Sequence, residues 1–234
     1  ISRNKMKYKI FLFFLILPIA LFSQEGNKDT LLINESRFDI SASMGLKIIT
    51  VKDLVDYINY YIPYNQDEFK SVTTSPEFMI NAEYRFDENY GLKLEYNYIL
   101  KSYNLENTKD LLLYNISINY NYHSTSLLFD YIIRDPGYLL KFGIGPSFYY
   151  SLLYQKTPLS KNEEEFHTSG LGLKTDIYGH TQFGENVYML IGFNFQVGWL
   201  GDLKNKNGDY LSPKQKVSMS FISAGVNLGM VFYF

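Results

Sequence analysis

Residues 187–199 read Val-Tyr-Met-Leu-Ile-Gly-Phe-Asn-Phe-Gln-Val-Gly-Trp. Val187, Met189, Ile191, Phe193, Phe195, Val197 and Trp199 alternate with Gly192, Asn194, Gln196 and Gly198. A repeat of two is the period of a β-strand with two unlike faces. The same alternation runs through Phe38, Ile40, Ala42, Met44, Leu46 and Ile48, then Phe78, Ile80, Ala82, Tyr84 and Phe86, and then Leu92, Leu94, Tyr96 and Tyr98. It returns in Leu140, Phe142, Ile144, Phe148 and Tyr150, in Leu171, Leu173 and Ile177, and in Ala224, Val226, Leu228, Met230, Phe232 and Phe234.

One stretch changes parity. Leu112, Tyr114, Ile116, Ile118, Tyr120 and Tyr122 share one face, while Leu127, Phe129, Tyr131 and Ile133 share the other. A bulge between His123 and Ser126 would join them into one long strand over 111–133. The alternative is two strands and an extra turn. The single bulged strand makes eight in all.

The connections alternate in length. Residues 87–90, 134–137 and 183–186 are short turns of Asp, Asn, Pro and Gly, whereas 49–76, 104–110, 156–168 and 201–215 are long and polar. That rhythm marks an all-β, eight-stranded antiparallel up-and-down transmembrane barrel with short periplasmic turns and longer extracellular loops. Both termini then lie on the periplasmic side. A soluble barrel alternates too, with its bulky apolar residues inside. The alternation by itself leaves open which face meets lipid.

The N-terminus bears on that choice. Lys5, Lys7 and Lys9 precede an apolar run from Ile10 to Phe22, and Ser23-Gln24 follow. The run is shorter than the roughly 20 residues a spanning helix needs. It fits a secretory signal peptide over 1–23. Residues 24–36 are then a periplasmic N-terminal segment and 37–234 the barrel. An exported chain meeting a membrane again must do so as a closed barrel, because only helices and closed barrels satisfy every backbone polar group in lipid. Aromatics also crowd the strand ends, at Phe38, Tyr96, Tyr98, Tyr120, Tyr122, Tyr149, Tyr150, Trp199, Phe232 and Tyr233. Interfacial girdles have that composition.

On this reading the opposite face turns inward. It carries Asp39, Lys47, Glu83, Arg85, Lys93, Glu95, Lys141, Lys174 and Asp176. These nine form a polar lumen network that must pair, since buried unpaired charge is costly. Eight strands enclose an interior just wide enough for side chains.

With 22 Tyr and 18 Phe in 234 residues, the chain is too aromatic for a disordered segment. It has no Cys, which excludes disulfides and thiolate chemistry, and 3 His, too few for a His-rich metal site. A net charge of −2 argues against a nucleic-acid binder, which would need a basic face. No cofactor and no metal is expected.

The last strand, ending in Phe232 and Phe234, resembles those of bacterial outer-membrane proteins. That resemblance implies an assembly signal read by the barrel-assembly machinery, and a setting of outer-membrane lipid and lipopolysaccharide. The eight-strand pattern with Leu-Phe-Ser-Gln at 21–24 resembles the PorT-like outer membrane protein β-barrel domain family of Bacteroidetes. Lys141-Phe142-Gly143-Ile144-Gly145-Pro146-Ser147 is similar to that family's fifth strand. The likeness covers nearly all of 37–234. It implies a location in the outer membrane and, for some members, a link to type IX secretion; most members have no assigned activity.

Chemistry is sparse. No G-x-S-x-G elbow, H-E-x-x-H motif or phosphate-binding loop occurs. The enzyme alternative is a lipid A deacylase-like hydrolase using His167, Ser169 and Glu165, with His123 and Ser124 or Ser126 as a second candidate set. A solvated His beside the acidic run Glu163–Glu165 is the simpler reading. His180 is expected to partner a lumen Asp or Glu. Val51, Leu54, Val55, Ile58 and Ile62 recur at a helical period that Pro63 ends. They predict a short amphipathic helix over the barrel mouth or on the membrane interface. The function expected is non-enzymatic: a structural, adhesion or accessory protein acting through its outer loops on an unidentified extracellular or periplasmic partner. A narrow channel or carrier for small apolar solutes is the third reading.

Overall fold

A computed structural model describes residues 37–61, 72–107, 114–135, 138–156, 163–184, 186–212 and 215–234. The signal-peptide and N-terminal-segment readings, Leu112 and Ile62 lie outside these residues. The chain runs β1 (Phe38–Thr50), α1 (Lys52–Tyr61), β2 (Val72–Arg85), β3 (Tyr90–Asn107), β4 (Tyr114–Asp135), β5 (Tyr138–Lys156), β6 (Glu164–Gln182), β7 (Val187–Leu200) and β8 (Phe221–Tyr233). The eight strands form one closed antiparallel barrel in sequence order, β8 pairing back onto β1. Closure removes every sheet edge from the membrane-spanning part, which an apolar solvent demands. Among the described residues no helix is long and apolar enough to cross a membrane; the strands do the crossing.

The lipid-facing surface is the apolar parity of the sequence. Leu46, Ile80, Leu94, Phe129, Ile144, Leu173, Phe193 and Leu228 are all exposed. Aromatic rings edge this band at the periplasmic end: Phe38 stacks near Phe234 at 6.3 Å, Phe86 near Phe129 at 6.1 Å and Tyr90 near Tyr131 at 5.7 Å. At the other end stand Tyr96, Tyr150 and Trp199. Inside, glycines make room for rings. A Cβ on Gly192 would sit 2.1 Å from the Tyr178 ring, so only glycine lets that ring lie on the wall.

The parity change in β4 has another cause than a bulge. β4 keeps one register against β3 from Tyr131 to Tyr114, and the same offset against β5 on both sides of His123–Ser126. No residue is inserted. Ile118, Tyr120, Tyr122, Ser124, Ser126 and Asp130 all point inward and are buried. What inverts is the medium. In the bilayer the outer face must be apolar; above it the outer face meets water, so Ser117, Asn119 and Asn121 point out and the Tyr rings turn in. The girdle expectation is corrected for the same reason at Tyr120, Tyr122 and Tyr149, all buried inside, and by strand parity at Tyr233, which turns inward at the periplasmic end between the outward Phe232 and Phe234. Tyr149 and Tyr150 could not both face lipid, because neighbours on a strand point to opposite faces.

Strands β3–β6 outrun the others, so a four-stranded wall stands above the barrel. Against it packs α1. Its first turn carries Asp53, favourable at the positive end of the helix dipole. Leu54 and Ile58 are fully buried and join Tyr103, Tyr120, Tyr122, Tyr149 and Phe221 in one apolar cluster. Burying each aliphatic side chain contributes about 1.5–3 kcal/mol. The helix therefore lies over the barrel mouth. Residues 201–212 and 215–220 close the remaining side: Leu203 N donates to Val217 O at 2.9 Å, and Tyr122 Oη donates to Met219 O at 2.9 Å.

Candidate functional site

Three regions collect the residues that could act: the lumen, the outer rim and the cap. All nine lumen residues named from sequence are buried inside the barrel. Lys47 pairs with Glu77, and Lys174 with Glu95. Lys93 Nζ lies 3.2 Å from Asp130 and 3.0 Å from Asp176. Lys141 Nζ reaches Asp39 at 2.8 Å and Glu83 at 2.6 Å. The Arg85 guanidinium sits 5.0 Å from the centre of the Tyr233 ring. Asn194 Nδ2 donates to Glu77 at 3.1 Å and to Asn227 at 3.0 Å.

Two members were missed in the sequence, Glu77 and Asp130. The signal was present. Glu77 precedes the outward Phe78, and Asp130 lies between the outward Phe129 and Tyr131, so parity alone turns both inward. Asp130 and Asp176 flank Gly143: a Cβ there would meet their Oδ1 atoms at 2.4 and 2.3 Å. Beyond the ionic groups toward the cap lies the Tyr120–Tyr122–Tyr149–Phe221 cluster. At the periplasmic end Ile132, Leu139, Tyr178, Tyr188, Leu190 and Tyr233 form a floor together with Asp39, Glu83, Arg85 and Lys141, Asp39 being in register with Tyr233. His180 belongs to this floor. Its Nδ1 lies 2.6 Å from Tyr233 Oη, so its partner is a phenol and not the expected carboxylate.

At the outer rim the other two histidines face outward. His123 Nδ1 lies 2.7 Å from Tyr96 Oη, with the Tyr98 ring at 5.0 Å. Tyr150 stands between them, 6.4 Å from His123 and 6.4 Å from His167. His167, Ser169 and Glu165 share the outward face of β6, but among the described residues no side-chain hydrogen bond links His167 to either of the others. Glu165 instead lies 3.8 Å from Lys206 Nζ. Ser124 and Ser126 point into the barrel, away from the outward His123, and Ser126 Oγ bonds Ser147 Oγ at 2.6 Å. Neither candidate set is assembled as nucleophile, base and orienting carboxylate. Among the described residues no three His, Asp or Glu side chains are grouped to hold a metal ion.

No protein-family model matches the sequence, and no curated protein matches it. Solved structures do. A major outer membrane protein from Thermus thermophilus is 10% identical with a TM-score of 0.52, over 84% of this chain and 99% of that one. Ail, the attachment invasion locus protein of Yersinia pestis, in complex with the heparin analogue sucrose octasulfate, is 13% identical with a TM-score of 0.48, over 85% and 99%. The outer membrane protein OprG from Pseudomonas aeruginosa is 10% identical with a TM-score of 0.48, over 85% and 97%. At these identities the likeness is one of fold alone. The closed topology, the outward apolar band and the polar lumen define the class: an eight-stranded β-barrel of the outer-membrane type.

Proposed function

We propose that this chain is a surface protein of the bacterial outer membrane that works through its extracellular cap, by adhesion, structure or accessory contact, and neither catalyses nor conducts. One observation carries the reading: the described lumen is lined by buried side chains, an apolar cluster beneath the cap and paired charges with aromatic rings from there to the periplasmic end. Such packing opposes the passage of a solute, and the described part that meets the medium is the wall and cap. Residues 1–23 export the chain, the barrel-assembly machinery receives Phe232 and Phe234, and lipid and lipopolysaccharide surround the band. Membership of the PorT-like family, with its link to secretion, belongs to the same proposal and rests on the sequence resemblance.

Two measurements test it. Purified protein in planar bilayers is expected to stay electrically silent at low voltage, and stable single-channel steps would overturn the non-conducting reading. Lipid A from cells expressing the wild type or His167→Ala is expected to have the same mass profile. A missing acyl chain that returns with the variant would establish the hydrolase instead.

A further inference from the structure

We infer that the β2–β3 seam is a docking slot for an extended, acidic strand of another protein at the cell surface. This rests on the proposal that the cap acts by contact.

The slot is written in one proline. Arg85 N donates to Arg37 O at 2.7 Å, so odd-numbered β2 residues bond β1 and even-numbered ones face β3. Pro76 is even, and the next β3 residue to be paired is Leu100. Proline has no N–H to donate. The β2–β3 ladder ends one pair earlier, at Glu77–Ile99, although β2 begins at Val72 and β3 continues to Asn107. Above that point side chains replace the ladder. Lys101 Nζ donates to Thr74 O at 3.0 Å, and Tyr103 Oη to Thr73 Oγ1 at 3.4 Å.

β3 meanwhile stays fully paired with β4 up to Asn107. Ile132 N donates to Asn89 O at 2.8 Å, so odd-numbered β3 residues bond β4. The main-chain groups of Leu100, Ser102, Asn104 and Glu106 therefore face the open side, where no described strand pairs with them. Such a row is a template for one more strand. The opposite edge of the same wall shows what the template accepts. There the chain's own residues 201–204 run along β6, with His167 N donating to Lys204 O at 2.8 Å and Lys204 N to His167 O at 3.1 Å. The β6 edge is covered from within; along the β3 edge no described segment does the same.

The occupant is a partner and not a second copy. Two copies share one bilayer and one orientation, so their tilted β3 strands would meet parallel and crossing, unable to form a ladder. Charge sets the partner's chemistry. Lys101 lies on the slot and forms no ion pair with a described carboxylate; its ammonium donates to the Thr74 carbonyl and lies 5.4 Å from the centre of the Tyr103 ring. An entering strand with a carboxylate at that level takes the ammonium, while its main chain takes the β3 edge. Outside the slot Val72 is exposed and Leu100 half-buried, which suits apolar side chains at alternate positions.

The test uses full-length mature protein in nanodiscs and a fluorescein-labelled decapeptide in which valine alternates with threonine and glutamate. Fluorescence anisotropy is expected to show saturable binding. Ser102→Pro removes an edge donor without touching the β4 ladder, and Pro76→Thr restores the donor that zips the seam; each is expected to weaken binding at least tenfold. Ser102→Ala keeps the N–H and is expected to bind like the wild type. A peptide with lysine for glutamate is expected to bind more weakly. Amide exchange at Leu100 and Ser102 is expected to be fast in the wild type and slow in Pro76→Thr, and protection across the rest of the barrel shows that the variants are folded. No binding by the wild type, or equal binding by all four proteins, overturns the slot. A silent bilayer with an unchanged lipid A profile alongside that result would leave the broader proposal standing.

Discussion

Lys93 illustrates how the lumen stays stable. Its ammonium lies between two carboxylates and 4.6 Å from the centre of the Tyr178 ring, with almost no water-exposed surface to relieve an imbalance. Removing one partner of a buried ion cluster leaves an uncompensated charge and costs about 3–5 kcal/mol. Lys93→Met is therefore expected to lower the urea midpoint of the refolded barrel, and adding Asp176→Asn to recover part of the loss. Equal midpoints for Lys93→Met and the wild type would mean that water enters this layer. Gly143 makes the same point through space. Ala there would push its Cβ against both Asp130 and Asp176, so Gly143→Ala is expected to destabilise the barrel although it adds one methyl group. Thermal unfolding followed by circular dichroism reads the difference.

Single strands carry two chemistries along one length. β4 is apolar outside at Leu127, Phe129 and Tyr131, and apolar inside at Ile118, Tyr120 and Tyr122. The crossing point marks the outer membrane surface. An arginine on the lipid face near the midplane costs about 2–4 kcal/mol, and one at the interface about 0–1. Leu94→Arg, in the exposed apolar band of β3, is thus expected to be strongly destabilising. Asn121→Arg, outward on β4 above the band, is expected to be nearly neutral in the same unfolding assay. Similar costs at both sites would misplace the bilayer. The helix obeys the same logic from the other side. Ile58→Asp puts a charge into the cap cluster and is expected to release α1, seen as protease cleavage within 52–61, while the barrel below keeps its fold.

At the scale of the molecule the barrel is a closed ladder of strands with an apolar lid over an ionic network that shares its periplasmic end with aromatic rings. Closed barrels of this kind resist cold SDS. The mature chain refolded in detergent is expected to migrate differently before and after boiling, and identical migration would argue against closure. The β2–β3 opening lies above the Lys47–Glu77 pair, so it bares the edge of the wall without breaching the membrane seal. The parting there and the skipped pairs at Leu127–Leu128 opposite Gly145–Pro146 both sit at a strand proline, where a ladder donor is missing.

Much of this was legible in the sequence, for a physical reason. Strand periodicity is local: each residue's face follows from its neighbour's, so the strand number and the split of each strand into an apolar and a polar face, with Lys93, Lys141 and Asp176 on the polar one, could be read without any contact. Glu77 and Asp130 obeyed the same parity and were there to be found. Pairing was not legible, because Lys93 meets Asp130 on the neighbouring strand and Asp176 across the barrel, and only register and closure set which side chains face each other. Nor was the medium. A Tyr at a strand end reads the same whether lipid or water lies outside, so only the height of the wall distinguishes Tyr120 and Tyr122, above the membrane, from girdle residues. The sequence by itself determined eight two-faced strands, because alternation is a property of the extended chain. The tertiary structure alone decided where that alternation changes meaning and where the ladder opens, because both depend on how far each strand rises beside its neighbour.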